Sequence, residues 1–284
     1  MSAAPDRCIV CGDSPEPLLA TRGLRILRCP GCGLQWRYPF PDYAELRRLY
    51  GSDYLDRWGA DGAEALTRVR AMKERTYRGF LDALPPQPDG ARLLDVGCAL
   101  GFLLGVARGR GFEAYGIDVN ASAVAQARSE FGERVTATPL EADPFPGLGF
   151  EVVTLVDVLE HVPDPVQLLS AVHGRLEPGG RILAVLPNAG GFMARLLRAR
   201  WPHYAPEHLY HWAPSSVSAL LERSGFRVEQ LRTGIRKTFT ASYLSAYAAA
   251  VDVWLPPGLG YLGDRAFRVP TGEMLVVGRA ASAG

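Results

Sequence analysis

The sequence predicts an α/β fold in which a mostly parallel sheet is covered by helices on both faces and is preceded by a small cysteine module. From residue 89 onward, short apolar runs alternate with segments of helical periodicity, and the links between them are short. Such alternation is typical of βαβ units and a parallel sheet. Ahead of these units, two Cys-x-x-Cys pairs lie close to the amino terminus. The chain therefore combines one large core with a small separate module.

Composition limits the function classes. The chain has 284 residues, 48% of them apolar, with 31 basic and 30 acidic side chains and a net charge of +1. It is long enough to bury a real core, and it lacks the basic excess that captures nucleic acid. Lys73 and Lys237 are the only lysines, and we attribute this arginine bias to genome composition. The amino terminus carries no basic and apolar signal, and no run reaches the roughly 18 apolar residues of a membrane span. We therefore expect a cytoplasmic protein.

The cysteine module is predicted to cover residues 1–40. Its two pairs have 17 residues between them, and glycines follow or interrupt each pair. This spacing favours four thiolates around one structural zinc ion, with no open position for catalysis. Two disulfides or reduced thiols are the alternatives. The predicted ligands are Cys8, Cys11, Cys29 and Cys32.

Residues 41–88 are predicted to form a helical cap or linker. A short helix is expected from Asp42 to Leu49, and a longer one spans roughly 62–84 because its apolar residues recur at helical spacing. A proline-rich turn then leads into the core. Tyr50, Tyr54 and Tyr77 in this region either pack or lend a phenol to a substrate site.

A glycine loop organises the core. Residues 93–96 indicate a buried strand, 97–101 a tight loop and 102–107 the first turns of a helix. The loop fails the dinucleotide fingerprint, since Ala99 and Phe102 stand where that pattern needs glycine. Asp95 at the strand end can accept from an ammonium group. Asp118 follows the next strand, where it is placed to bind a diol.

Three ordered motifs resemble those of the class I S-adenosylmethionine-dependent methyltransferases. They are Leu94-Asp95-Val96-Gly97-Cys98-x-x-Gly101, Gly116-Ile117-Asp118, and Asp157-Val158-Leu159-Glu160-His161-Val162-Pro163-Asp164-Pro165. The resemblance implies S-adenosylmethionine as cofactor, with Asp95 and Gly97 at its methionine end and Asp118 on the ribose. Ala99 replaces the glycine more usual there, and Cys98 is expected to pack as a small hydrophobe. The implied cofactor-binding residues are Asp95, Gly97, Cys98, Gly101, Asp118, Val119, Leu140, Glu141 and Asp157.

The Rossmann-like methyltransferase core is predicted over residues 89–284. The predicted sheet has seven strands and ends in an antiparallel hairpin. Parallel strands are expected near 92–96, 113–117, 134–137, 151–156 and 181–186, with a hairpin of 226–232 and 273–279. Helices are expected near 101–109, 121–131, 164–175 and 215–224. Two inserted lid segments, 188–214 and 238–270, complete the predicted architecture.

The lid at 188–214 contains three of the five histidines. A hydroxyl or carbon acid must lose its proton during methyl transfer, and a histidine titrates in a suitable range. We predict His208 as the general base, with Glu207 and Tyr204 close enough in sequence to orient it, and His161 as the competing base. The Glu207-His208 pair, together with the cysteine module, is also similar to bacterial sugar C-methyltransferases. These histidines could alternatively bind a second metal, although their spacing fits no standard helix pair.

The leading hypothesis is therefore a methyltransferase that acts on an oxygen or carbon of a small-molecule acceptor, such as a secondary metabolite or saccharide. One alternative is a ribosomal RNA base methyltransferase, since such enzymes also combine a cysteine-rich zinc module with a class I core. Another is a scaffold that binds S-adenosylmethionine without turnover. Near-neutral charge argues against a nucleic-acid partner. The sequence leaves open whether the chain forms a homodimer.

Overall fold

A computed structural model describes residues 4–42, 45, 62–250 and 259–281. Its central feature is a seven-stranded sheet in the order β10-β13-β8-β7-β4-β5-β6. Strand β13 runs antiparallel to both of its neighbours, and the other pairs are parallel. This confirms the predicted α/β sheet and its terminal hairpin. The strands are β4 (Arg92–Val96), β5 (Glu113–Ile117), β6 (Val135–Thr136), β7 (Phe150–Val156), β8 (Leu176–Pro187), β10 (Phe226–Thr233) and β13 (Glu273–Ala280).

The middle of the sheet is the core of the molecule. Strands β4 and β7 are buried along almost their whole length, and β8 is buried over its carboxyl-terminal half, as expected for parallel strands covered on both faces. Strand β8 begins five residues earlier than predicted, despite its Pro-Gly-Gly sequence. The extension is accommodated because the β7–β8 register shifts between Phe150 and Val152, so the proline and glycines lie at an irregularity.

The helices that flank the sheet follow the predicted order. Asn120 caps α3, since its side chain accepts from the amides of Ser122 and Ala123. Asp164 caps α4 in the same way, and Pro165 occupies its first turn. The helices of the core are α2 (Phe102–Arg108), α3 (Ala121–Phe131), α4 (Pro165–His173), α5 (Phe192–Leu197) and α6 (Pro214–Arg223).

The cysteine module forms a separate antiparallel sheet of β1 (Glu16–Thr21), β2 (Leu24–Arg28) and β3 (Gln35–Tyr38). A fourth strand, β9 (Tyr210–His211), comes from the first inserted segment and pairs with β3. The module also contacts α6, because Ser215 donates to the carbonyl of Cys32. The first inserted segment, residues 188–214, is called the histidine-rich segment below because it contains three histidines. The module and this segment are therefore one packed unit.

The cap consists of α1 (Gly62–Leu81) and an antiparallel hairpin of β11 (Arg236–Thr240) and β12 (Ala266–Pro270). Helix α7 (Ala241–Ala250) directly follows β11 in the chain. Thr238 donates its amide to the Thr76 hydroxyl at 2.8 Å, which ties the hairpin to α1. The predicted short helix to Leu49 and the tyrosines at 50 and 54 lie almost wholly outside the described residues.

Candidate functional site

The carboxyl ends of the parallel strands open into a cavity of about 880 Å³. This volume is within the usual range of small-molecule sites, about 300–1,000 Å³. The location follows the rule that ligands bind beyond the strand ends of an open α/β sheet. Of the predicted site residues, those that line the cavity are Asp95, Gly97, Cys98, Asp118, Val119, Leu140, Glu141, Asp157 and His161.

The glycine loop is fixed by backbone geometry. Gly97 has φ +81°, and a Cβ at this position would lie 2.6 Å from Cγ2 of Val158. The position therefore requires glycine both for its left-handed conformation and for close packing. The amides of Gly97 and Cys98 both donate to the carbonyl of Ile117, which anchors the loop to the end of β5. Ala99 also adopts a left-handed φ of 45°, a conformation that an alanine adopts only at a cost in strain.

Two carboxyl groups flank this loop, that of Asp95 buried and that of Asp118 half-buried. Asp95 accepts a hydrogen bond from the Thr154 hydroxyl at 2.6 Å, and burial raises its pKa to about 7. Asp118 accepts from the amides of Ala99 and Asn120, both at 2.8 Å, and burial raises its pKa as well. A cationic group beside Asp95 would stabilise its ionised form. Hydroxyl donors beside Asp118 would do the same for that carboxylate.

Other predicted cofactor residues differ in their surroundings. Val119 is 78% exposed although it is apolar and borders the cavity, whereas Leu140 is buried. Cys98 is buried, and burial raises the pKa of its thiol, as expected for an unreactive packing residue. Gly101 does not line the cavity. A Cβ there would lie 2.8 Å from the Phe131 ring, so this glycine permits helix packing.

An ion network links Asp157, which lines the cavity, to two residues outside the lining. Lys237 donates to both carboxylate oxygens of Asp157, at 2.8 and 3.1 Å, and its ammonium lies 2.7 Å from Glu273. Burial opposes these charges, but the two carboxylates raise the pKa of Lys237, and Lys237 with Lys73 lowers the pKa of Asp157. Sequence reasoning missed Lys237 and Glu273, since neither belongs to a recognisable motif.

The backbone at Glu160 joins the third sequence motif, residues 157–165, to the histidine-rich segment. Its carbonyl accepts from the amides of Leu209 and Tyr210, at 2.7 and 3.2 Å. The neighbouring His161 places Nδ1 3.1 Å from the carbonyl oxygen of Glu207. Nδ1 must therefore carry the proton in this contact, and the neutral ring has its lone pair on Nε2. Burial lowers the pKa of His161, so the neutral form dominates near pH 7.

His208 lies behind His161 and is not among the residues that line the cavity. The two ring centroids are 4.7 Å apart in an edge-to-face arrangement, and the His203 ring stacks on His208 at 5.7 Å. Burial lowers the pKa of His208 well below its ordinary value. One ligand atom each from Glu160, His161 and His208 lies within 4.8 Å of the others, a spacing suited to proton sharing or to a cation.

The other two predicted catalytic residues contact different partners from those expected. Glu207 reaches His161 through its backbone carbonyl. The Tyr204 hydroxyl is buried and donates to Gln35 of the cysteine module at 2.8 Å. Tyr204 therefore joins the module to the histidine-rich segment and does not line the cavity.

Comparisons with known proteins identify the fold's relatives. A family described as a methyltransferase domain matches residues 69–231, more than half of the chain. This chain belongs to that methyltransferase family. The ubiquinone biosynthesis O-methyltransferase of Xanthomonas campestris pv. campestris (strain B100) is 30% identical over 201 residues, which are 63% of this chain and 82% of the relative. That of Thiobacillus denitrificans (strain ATCC 25259 / T1) is 27% identical over 206 residues, 67% and 85% of the two chains.

Structural similarity agrees with this assignment at the level of the fold. A SAM-dependent methyltransferase from Archaeoglobus fulgidus has a TM-score of 0.51 and 17% sequence identity, and the match covers 81% of this chain and all of that chain. The protein is thus an S-adenosylmethionine-dependent methyltransferase, as the three motifs predicted. Among its described residues, no helix has both the length and the apolar character needed to cross a membrane.

The methyltransferase also carries the predicted four-cysteine cluster. One sulfur from each of the four cysteines lies within 4.8 Å of the others. The sulfur pairs Cys8–Cys32 and Cys11–Cys29 are 3.4 and 3.2 Å apart, which excludes disulfide bonds in this arrangement. Burial raises the pKa of Cys11 to about 11 and raises that of Cys32 further above its ordinary value. Four thiolates could share this volume only with a cation among them.

Proposed function

We propose that this methyltransferase transfers a methyl group from S-adenosylmethionine to a hydroxyl oxygen of a small-molecule acceptor. The observation that carries the proposal is the position of His161. It lines the same cavity as Asp95 and Asp118, and its contact with the Glu207 carbonyl favours a lone pair on Nε2. The O-methyltransferases named among the relatives support oxygen over carbon as the methylated atom.

The described residues fit the cofactor as follows. Asp95 would bind the methionine ammonium and Asp118 the ribose hydroxyls, because each is a carboxylate at a strand end whose pKa burial raises. The backbone at Gly97 allows the methionine end to approach closely. Val119 provides an exposed apolar surface at the cavity, and Leu140 with Glu141 would flank the adenine.

Catalysis in this proposal depends mainly on positioning. The bound cofactor supplies an electrophilic methyl group, and the protein must hold the acceptor oxygen in line with it. His161 would accept the hydroxyl proton on Nε2 as the oxygen attacks. The His208 ring lies against His161 and would support the charged imidazolium that forms. This arrangement gives His161 the direct role and His208, the base predicted from sequence, an indirect one.

We further propose that Cys8, Cys11, Cys29 and Cys32 bind one structural zinc ion. Each pair is folded as a knuckle, since Gly12 donates to the Cys8 carbonyl and Gly33 to the Cys29 carbonyl. The Cys32 amide also points to the Cys29 sulfur at 3.5 Å. All four positions of a tetrahedral site would be filled by protein, so the metal would stabilise the module and have no part in the chemistry.

The experiment that tests the proposal is production of S-adenosylhomocysteine from S-adenosylmethionine with a panel of phenols and saccharides. Wild type, His161→Gln and His208→Gln are compared. The proposal predicts turnover of at least one hydroxylated acceptor, with a larger loss of kcat in His161→Gln. Equal loss in both variants, or a larger loss in His208→Gln, would contradict the role of His161. Turnover of RNA alone, with affinity that falls steeply with salt, would support the ribosomal RNA alternative instead.

A further inference from the structure

One helix turns its large apolar side chains away from the core. Phe192, Met193 and Leu196 of α5 are 68%, 37% and 60% exposed. They are three of the eight large apolar side chains that are exposed in the described part of the chain. The helical repeat places them within about 100° of one another around the axis, so they share one face. Scattered exposed apolar residues are ordinary, but a contiguous group on one face indicates a contact surface.

The opposite face of α5 is anchored to the protein. Ala194 is buried and packs in one cluster with Leu24 of the cysteine module and with Trp201. A surface helix of a globular protein normally buries its larger apolar residues and exposes polar ones. In α5 the alanine faces inward, whereas the phenylalanine and the leucine face outward. Packing of the core therefore does not explain the apolar face.

Positive charge lies beside this face. Three exposed arginines belong to the same segment, namely Arg195, Arg198 and Arg200. Residues 188–206 contain no acidic side chain, although the net charge of the whole chain is only +1. The exposed Arg22 joins them from the module, because the hydroxyl of the neighbouring Thr21 donates to the carbonyl of Ala199. The exposed residues of 192–200, together with Arg22, are called the α5 surface below.

We infer that the α5 surface docks on an anionic membrane, with its apolar side chains in the headgroup region and its arginines on lipid phosphates. Apolar side chains beside cationic ones are the combination by which amphipathic segments bind a lipid interface. Guanidinium groups match phosphate oxygens in a bidentate geometry, and their apolar stems can lie along neighbouring apolar side chains. Helix α5 follows the carboxyl end of β8, so docking would turn the edge of the sheet that carries the cavity toward the bilayer.

Two other partners fit the α5 surface less well. In a twofold dimer the same patch of both copies would meet, which would bring the arginines of one copy near those of the other. The segment has no acidic residue to offset that repulsion. Single-stranded RNA would need aromatic side chains on which its bases stack, but Met193 and Leu196 are aliphatic. A membrane uses both the aliphatic and the cationic residues.

The test is flotation of the full-length protein with vesicles of phosphatidylcholine alone or of equal parts phosphatidylcholine and phosphatidylglycerol. We expect binding to the mixed vesicles that weakens with added salt, and much weaker binding to phosphatidylcholine. Phe192→Ser with Leu196→Ser should lower the partition coefficient at least about tenfold, because both changes remove apolar area that the bilayer would bury. The combined change of the three arginines of 192–200 to glutamine should lower it by a similar factor.

Tyr261→Ser and Arg227→Gln are the matched controls. Their side chains are 96% and 73% exposed and lie outside the α5 surface. Both controls should bind the mixed vesicles as tightly as the wild type does. Urea unfolding shows whether each variant is folded, and the comparison of the two vesicle types and the salt dependence use the wild type alone. Vesicle binding needs neither cofactor nor acceptor, so its outcome is separate from that of the proposed function.

Failure of the wild type to bind the mixed vesicles would overturn the inference. Vesicle binding that the changes in α5 leave intact, or that the controls weaken equally, would overturn the assignment to the α5 surface. A dimer or an RNA complex that the α5 variants disrupt, in a protein that does not bind vesicles, would assign the surface to that partner and also overturn the inference.

Discussion

Removing Lys237 should destabilise the methyltransferase strongly. Lys237→Met keeps a side chain of similar length but leaves Asp157 and Glu273 without their shared cation. Glu273 is only 5% exposed, whereas Asp157 is 35% exposed and partly screened by solvent. Breaking a buried pair by removing one partner costs about 3–5 kcal/mol. Because water screens part of the Asp157 charge, we expect a loss of about 3 kcal/mol in the free energy of unfolding near neutral pH.

The loss should depend on pH. In the wild type, Lys237 holds the pKa of Asp157 below its ordinary value. The ionised Asp157 therefore contributes its full share to the free energy of unfolding above about pH 4. In the variant, the pKa of Asp157 and that of Glu273 should rise above the unfolded values, because burial is no longer offset by the Lys237 ammonium. The folded variant then takes up protons that the unfolded chain does not, and its stability falls as the pH rises through those raised values. The deficit should therefore be larger at about pH 8 than at about pH 5.5.

Urea unfolding of wild type and Lys237→Met at the two pH values measures this difference. Arg68→Ala is the control, because it removes an ion pair of the same cap, 3.8 Å from Asp264, whose side chains are 49% and 61% exposed. That change should cost less than about 1 kcal/mol at either pH. A Lys237→Met deficit as small as the control's, or one that does not change with pH, would refute the ion-network argument.

Three further predictions use other parts of the site. Gly97→Ala should destabilise the fold by about 1–3 kcal/mol and weaken S-adenosylhomocysteine binding. Gly90 has the same φ of +81° but open space around it. In the same unfolding assay, Gly90→Ala should therefore lose only the part of the free energy of unfolding that comes from backbone strain, without the clash. Because burial lowers the pKa of His161, kcat/KM should fall only below the ordinary histidine value of about 6.5, and an acid limb above that value would exclude His161. Zinc chelation or Cys29→Ser should reduce turnover more than S-adenosylhomocysteine binding. Equal losses of the two would argue against the placement of the cysteine cluster away from the cofactor cavity.

The order of the core elements, and the bounds of several of them, could be predicted from sequence because their signals are local. Strands β4 and β5 and helix α3 begin and end at the predicted residues. Each is a run of apolar residues bounded by glycine or a capping side chain, so short-range chemistry determines where it stops. The glycine loop and its acids could be located for the same reason, because the residues that form the loop are adjacent in sequence.

Contacts between distant segments could not be predicted. The pairing of β3 with β9 joins Trp36 to Tyr210, and a strand of two residues has no periodicity to detect. Tyr204 was a candidate for the substrate site because it is near His208 in sequence, yet its hydroxyl contacts Gln35. Lys237 reaches Asp157 across 80 positions. Nothing in the local sequence distinguishes these side chains from ordinary surface residues.

The most direct test of the central claim is calorimetric binding of S-adenosylhomocysteine to wild type and Asp118→Ala, with Asp82→Ala as a control. Asp82 is 66% exposed and pairs with Arg110 away from the cavity. The account predicts one binding site per chain, affinity lower by at least about tenfold in Asp118→Ala, and no change in Asp82→Ala. A folded wild type that does not bind, or an Asp118→Ala variant with unchanged affinity, would contradict the assignment of this cavity to the cofactor.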